Sequence, residues 1–327
     1  MRHLAGVGGD IEIRLTPAVA HIGAVEILST RPREAARIFE GKPAEVLCAT
    51  IGRVFSLCGK AQTVAALTAV EQALGIARDP GVAAARDALR RAEMLTQVVT
   101  RLALHWPRVL GLPLAPEAVR AAMAAETVIE NVVLGAGWRK PGAGLAGDPV
   151  DVVAAQIDIA ALVAPLTAAL ADRGWEGYGA LPDGAAPEQG VLATYWDAPA
   201  VAQTRAAHGA GLAARLAAAE VALTVLPGEI ATDLAAQRAC PTRPPERDAG
   251  HAAATVETAR GPLTHLVRIE GGQVAHCRTE APTEMNFTSD GPVAAGLVGA
   301  VADPVAAELH VLAIDPCVAA RVELAPA

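Results

Sequence analysis

Aromatic residues are scarce: only 3% of the 327 positions are Phe, Trp or Tyr. The apolar share is nevertheless 52%, much of it alanine, which favours closely packed helices because alanine loses no side-chain entropy in a helix. Basic charge is also in deficit. A net charge of −8 and a pI near 5.5 argue against a nucleic-acid partner, which would reward a basic patch. No uninterrupted apolar run reaches membrane-spanning length; the best candidates, Val152 to Leu170 and Val293 to Leu312, carry Asp, Glu or Pro where lipid would penalise them. Membrane insertion is therefore not expected. No charged-apolar-small leader opens the chain, which argues against secretion. The five cysteines are odd in number and widely spaced, so they do not form a disulfide framework. Together these absences lead to the expectation of a cytoplasmic protein whose cysteines are core fillers or ligands.

What is present is organised as α+β. Ile11, Ile13 and Leu15 alternate with Glu12 and Arg14 in an opening strand, and His21 to Leu28 supplies a hairpin partner. Pro32 and Pro43 are placed to open helices, the first closed by Gly41. Val46, Ile51, Val54, Cys58, Ala61 and Ala65 then predict a buried helical face running to Gly75. Further helices are expected over Gly81 to Leu104, Pro116 to Leu134, Asp151 to Ala171 and Ala200 to Leu223. Gly/Pro-rich loops are expected at Arg139 to Asp148, Gly174 to Gly190 and Cys240 to Gly250. "LTHLVRIEGGQVAHCRTE" alternates on both sides of Gly271-Gly272 and predicts a hairpin. No internal repeat is evident. The expected organisation is one domain over 1–327, with an N-terminal motif region (1–78), a helical middle (79–235) and a C-terminal region (251–327).

Five stretches, in order, carry a resemblance. They are "RVFSLCGKAQTVAALTAVE", "ETARGPLTHLVRIEGGQVAHC", "APTEMNF", "GPVAAGLVGAVADP" and "IDPCVAAR". Together they resemble the large subunit of nickel–iron hydrogenases, over roughly the first 75 and the last 75 residues. The resemblance implies that fold: a helical bundle with small β-hairpins near both termini, in which the first and last motifs meet.

The departures from the family pattern are equally informative. The enzymes hold nickel with four thiolates, two of which bridge to iron. By the resemblance Cys58 keeps a bridging position and Cys317 a nickel-only position, while Phe55 and Ala320 stand where the other two cysteines belong. Nickel of this kind needs a soft, sulfur-rich site; no nickel and no hydrogen turnover are expected. The family's His after the first motif is Gln62, and its terminal His is Glu323. What survives is the iron side. Arg260 and Thr283 match the groups that contact cyanide on iron, and Asp315 the acid beside that arginine. A guanidinium fork and a hydroxyl suit an anionic acceptor removed from water, and Asp315 would orient and balance Arg260.

This pattern is similar to the HupK-type hydrogenase maturation proteins, degenerate relatives of the large subunit. The resemblance implies a non-catalytic scaffold for assembly or transfer of an iron–cyanide–carbonyl fragment, with hydrogenase accessory proteins, and hydrogenase subunits in addition, as partners. Expected site residues are the metal ligands Cys58 and Cys317, the cyanide/carbonyl contacts Arg260 and Thr283, and Asp315 and Gln62 behind them. A metal-free pseudo-enzyme kept as a protein-binding module is the alternative, and a working hydrogenase is disfavoured by Phe55 and Ala320. From periodicity alone Cys58 reads as a small core hydrophobe, and it is the motif that turns the reading to a ligand. Arg260, Thr283 and Asp315 read as turn residues. Cys48, Cys277, His276 and His265 are expected to be structural.

Overall fold

The apolar alternation at the N-terminal end builds β1 (Asp10–Ala18), which buries Ile11, Ile13 and Leu15, and β2 (His21–Ser29) pairs with it antiparallel. The computed structural model describes residues 9–32, 34–147, 157–182, 185, 188–236 and 250–325. The stretch expected to be helical from Pro32 is a short 3₁₀ turn, Ala35–Phe39. Helix α1 (Ala44–Val54) follows Pro43 as expected, with Ala44, Leu47, Cys48 and Ile51 as its buried face.

The single helical face expected up to Gly75 is broken. The chain leaves the helix at Phe55 (φ −110°, ψ 64°), makes a 3₁₀ turn over Ser56–Cys58 and restarts as α2 (Gly59–Leu74). The cause is a close crossing of the two helices. A Cβ on Gly52 would lie 2.4 Å from the Gly59 carbonyl oxygen, and one on Gly59 would lie 2.5 Å from that of Gly52. Cys58 is therefore the N-cap of α2 and not a residue on a helical face, and Val46 and Val54 are exposed.

The middle comprises α3 (Pro80–Thr100), α4 (Trp106–Leu110), α5 (Pro116–Val128), α6 (Ile159–Arg173), α7 (Val191–Thr194), α8 (Pro199–His208) and α9 (Leu212–Ala236). Helices α3 and α5 each end in a π-helical turn, Arg101–His105 and Ile129–Leu134. The helix expected over Ala200 to Leu223 is divided in two by Gly209–Gly211, and α9 continues beyond it. Positions 151–156 of the helix expected from Asp151, and all of the Cys240 to Gly250 loop except Gly250, lie outside the described residues.

The last region opens with a meander of β3 (His251–Thr258), β4 (Gly261–Glu270) and β5 (Gln273–Glu280). The β4–β5 turn has positive φ at both Gly271 (56°) and Gly272 (79°), the conformation that a two-residue hairpin demands. Three short helices follow, α10 (Pro282–Asn286), α11 (Pro292–Leu297) and α12 (Pro304–Ile314), and then β6 (Ala319–Leu324).

Strand β6, which the periodicity did not reveal, pairs parallel with β1 to give the order β2-β1-β6. The β4–β5 hairpin is tied to the start of α1 by the bonds of Gly41 N–H to Val274 O (2.8 Å) and of Ala44 N–H to Gly272 O (3.0 Å). These two pairings bring the ends of the chain onto the same helical core. One apolar cluster draws on all three regions, and a small satellite of Cys58, Ala61, Ala65 and Leu263 packs α2 against β4. No helix among the described residues is long and apolar enough to cross a membrane.

Candidate functional site

Cys58, Arg260 and Asp315 are placed by local breaks in regular structure, while Gln62 lies within α2 and Thr283 within α10. Cys58 ends the 3₁₀ turn forced by the Gly52–Gly59 crossing. Arg260 occupies the β3–β4 turn, where its N–H donates to Thr258 Oγ1 (3.2 Å). Gly261 (φ 117°) follows it because a Cβ there would sit 2.8 Å from Gln189 Cβ and 3.0 Å from the Gly190 nitrogen. Asp315 terminates α12 in the left-handed region (φ 62°), a conformation that Asp tolerates better than most residues. That reversal turns the chain through Pro316 to Cys317.

These residues are connected. Arg260 Nη2 lies 3.0 Å from Asp315 Oδ2, both side chains being almost fully buried. Two residues on, the Cys317 N–H donates to Thr283 Oγ1 (3.1 Å), which leaves the hydroxyl hydrogen of Thr283 to be donated elsewhere. Gln62 Nε2 lies 3.7 Å from Cys58 Sγ. The two halves are bridged by a residue with no sequence motif: Gln97 on α3 donates Nε2 to the Leu57 carbonyl (2.6 Å) and accepts Arg260 Nη1 at Oε1 (2.9 Å). A continuous path thus runs Gln62, Cys58, Leu57, Gln97, Arg260, Asp315, Cys317, Thr283. Cys58 and Cys317 lie within electrostatic reach of each other, and both act on Arg260.

The electrostatics follow from burial. Burial pushes the Cys58 thiol up to about 12, helped by the Glu93 carboxylate and opposed by Arg260. For Arg260 burial opposes the charge, but Asp315 and the two sulfurs outweigh it and the pKa is raised. Glu93, buried on α3, takes the capping place that Cys58 leaves unused, accepting the N–H groups of Lys60 (2.8 Å) and Ala61 (2.9 Å). Burial raises its carboxyl to about 7 against those two bonds.

Sequence reasoning missed a second buried guanidinium. Arg101, in the π-helical turn after α3, donates Nη1 to the Ala313 carbonyl (3.0 Å), and its Nε and Nη2 have no partner among the described residues. Burial lowers its pKa; Asp315 opposes that effect and Arg260 adds to it. Among the described residues Arg260 Nε is likewise unpartnered, and Asp315 Oδ2, though close to Arg260, makes no aligned hydrogen bond. The signal lay in α3: Arg86, Arg90, Glu93, Gln97 and Arg101 recur every three or four residues as a polar stripe within an apolar helix.

Phe55 and Ala320, which stand where two further cysteines would, are partly buried against the core. Among the described residues no group of three or more His, Cys, Asp or Glu side chains has metal-holding geometry. Cys48 and Cys277 are fully buried and close enough to influence each other, as core residues. His276 is exposed and pairs with Glu40 (3.0 Å).

No protein-family model matches the chain. It is 31% identical to the hydrogenase expression/formation protein HupK of Rhizobium leguminosarum bv. viciae, over 99% of this chain and 98% of the relative. Identity is 30% to HupK of Azotobacter vinelandii (96% and 97% covered) and 28% to HupV of Azotobacter chroococcum (96% and 98%). In structure the chain is similar to the nickel–iron–selenium hydrogenase of D. vulgaris Hildenborough, with a TM-score of 0.68, 16% identity and 92% and 94% of the two chains covered. It is also similar to an NAD⁺-reducing nickel–iron hydrogenase, with a TM-score of 0.65 at 14% identity over 91% and 93% of the chains. The fold is that of the hydrogenase large subunit.

Proposed function

Because the chain belongs to the HupK family of hydrogenase expression/formation proteins, we propose that it is a non-catalytic scaffold that receives an iron–cyanide–carbonyl fragment as cargo and passes it on during hydrogenase assembly. The observation that carries this reading is the convergence of two cysteines, a buried arginine and a hydroxyl whose hydrogen is free to donate, joined along the chain, by hydrogen bonds through Gln97 and Thr283, and by the Arg260–Asp315 ion pair.

The donor set fits such a cargo. Thiolates suit iron, and a cyanide removed from water requires donors; the unpartnered Arg260 Nε and the Thr283 hydroxyl are of that kind. Phe55 and Ala320 supply no thiolates for nickel, and two thiols make an incomplete shell that holds a metal loosely enough to release it. Asp315 fixes Arg260, and its own orientation is set by the end of α12. The partners on this reading are hydrogenase accessory proteins that load the fragment and the hydrogenase subunit that accepts it, in the cytoplasm.

A metal-free protein-binding role is favoured by one observation, the lack of a three-ligand cluster among the described residues. Iron content after anaerobic co-expression with the accessory proteins separates the two. The scaffold carries iron that an acceptor large-subunit precursor removes. A protein that binds its partners without iron, or iron that the acceptor cannot remove, contradicts it.

A further inference from the structure

Behind Cys58 lies a buried chain of polar groups that the iron-holding reading does not use. Gln62 Oε1 is 2.7 Å from His265 Nε2, and His265 Nδ1 is 3.1 Å from Thr279 Oγ1. Gln62 is 2% exposed and His265 not at all. The far end of Gln62 meets Cys58 Sγ at 3.7 Å. The chain therefore spans α2, β4 and β5 and ends on sulfur.

We propose that His265 and Thr279 are positioning residues which lock the Gln62 amide so that it presents an N–H, and not its oxygen, to the Cys58 sulfur. The functional part of this inference rests on the reading that Cys58 is an iron ligand. A primary amide carries a donor at one end and an acceptor at the other, so whichever end meets His265 decides what meets the sulfur. A neutral imidazole carries one hydrogen, and burial holds the His265 pKa down at about 4, so the ring is neutral at physiological pH.

Two directions are possible along such a chain. In one, Thr279 donates to Nδ1, Nε2–H donates to Gln62 Oε1, and Gln62 N–H donates to sulfur. The reverse requires a Cys58 S–H to donate to Gln62. A thiol is a weak donor and a thiolate none at all, whereas sulfur accepts in either state. The first direction is compatible with every state of Cys58, and with a metal-bound thiolate it is the only one. An N–H aimed at a thiolate lowers its basicity and fixes its orientation, as groups behind a metal ligand do.

The direction is read from the ¹⁵N shifts of the His265 ring in the full-length, histidine-labelled protein, with cadmium as a diamagnetic thiol-seeking probe. The expected result is a hydrogen on Nε2 and none on Nδ1, before and after cadmium addition. Cadmium affinity is expected to fall about tenfold in Gln62→Leu, to fall less in Thr279→Val, and to be retained in Thr279→Ser, which keeps the hydroxyl. A hydrogen on Nδ1 in either state overturns the inference, as does unchanged cadmium affinity in Gln62→Leu. If Nε2 carries the hydrogen but the wild type takes up no cadmium, the positioning of Gln62 stands and the thiolate reading of Cys58 fails.

Discussion

Buried arginines in this molecule sit in two opposite circumstances. Arg215 is closed: Nε and Nη2 both donate to Glu188 Oε2 (2.9 and 2.7 Å), and Nη1 donates to the Gly179 carbonyl (3.1 Å). At the candidate site, Arg260 and Arg101 both lie near the Asp315 carboxylate, and among the described residues Arg260 Nε, Arg101 Nε and Arg101 Nη2 have no hydrogen-bond partner. A buried ion is tolerated when it is paired and hydrogen-bonded, and the closed pair meets that condition. The open cluster meets it only in part, and Arg260 lies within electrostatic reach of both sulfurs. The closed pair is what stability alone selects, whereas on the function proposed above the open one keeps donors and positive charge in reserve for an anionic cargo.

The contrast is broken most strongly from the closed side. Arg215→Met strands the Glu188 carboxylate in the interior and is expected to cost about 3–5 kcal/mol of unfolding free energy in urea denaturation. Next in size is a pH effect behind the site. His265 has a folded pKa of about 4 against an ordinary 6.5, so its contribution is complete above pH 6.5 and is lost as pH falls toward 4. Relative to His265→Gln, the wild type should lose on the order of 3 kcal/mol over that window, measured by thermal unfolding. Glu93 works in the other sense, its carboxyl raised to about 7, so its contribution is present at low pH and lost as pH rises from 4.5 through 7. The pairing of wild type with a His265 variant cancels it.

The open cluster predicts a change of opposite sign to that of Arg215. Arg101→Met removes a buried charge with no carboxylate of its own, and should leave the metal-free protein equally stable or more stable by up to about 2 kcal/mol. Destabilisation as large as that of Arg215→Met would erase the distinction between the two sites. The smallest effect is expected of Thr283→Val, which deprives the Cys317 N–H of its acceptor at a cost of about 1 kcal/mol. Its consequence for cargo retention should exceed its consequence for folding.

The same two sites show what the sequence makes legible. Alternation at Ile11, Ile13 and Leu15 and the Gly271-Gly272 turn are local signals, and both elements form where local physics puts them. The motif residues Cys58, Arg260, Thr283, Asp315 and Cys317 were legible through their colinear resemblance to the enzymes. The break at Phe55 to Cys58 was not, because its cause is a contact between the backbones of Gly52 and Gly59 that no helical period encodes. Nor was β6, whose alternation is short and whose partner β1 lies at the other end of the chain. Gln97 and Arg101 escaped because a polar stripe on a helix reads as a solvated face. Here that stripe points inward and ties α3 to Glu71, the Glu257 carbonyl, the Leu57 carbonyl and the Ala313 carbonyl.

On the function proposed above, Cys58 and Cys317 hold an iron fragment among these donors. Infrared spectroscopy of the protein, co-expressed with hydrogenase accessory proteins and purified without oxygen, tests it most directly. Cyanide and carbonyl stretching bands are expected in the wild type and should vanish in both Cys58→Ser and Cys317→Ser. An iron-free protein that binds its partners and shows no such bands, or bands unchanged in both serine variants, would contradict it.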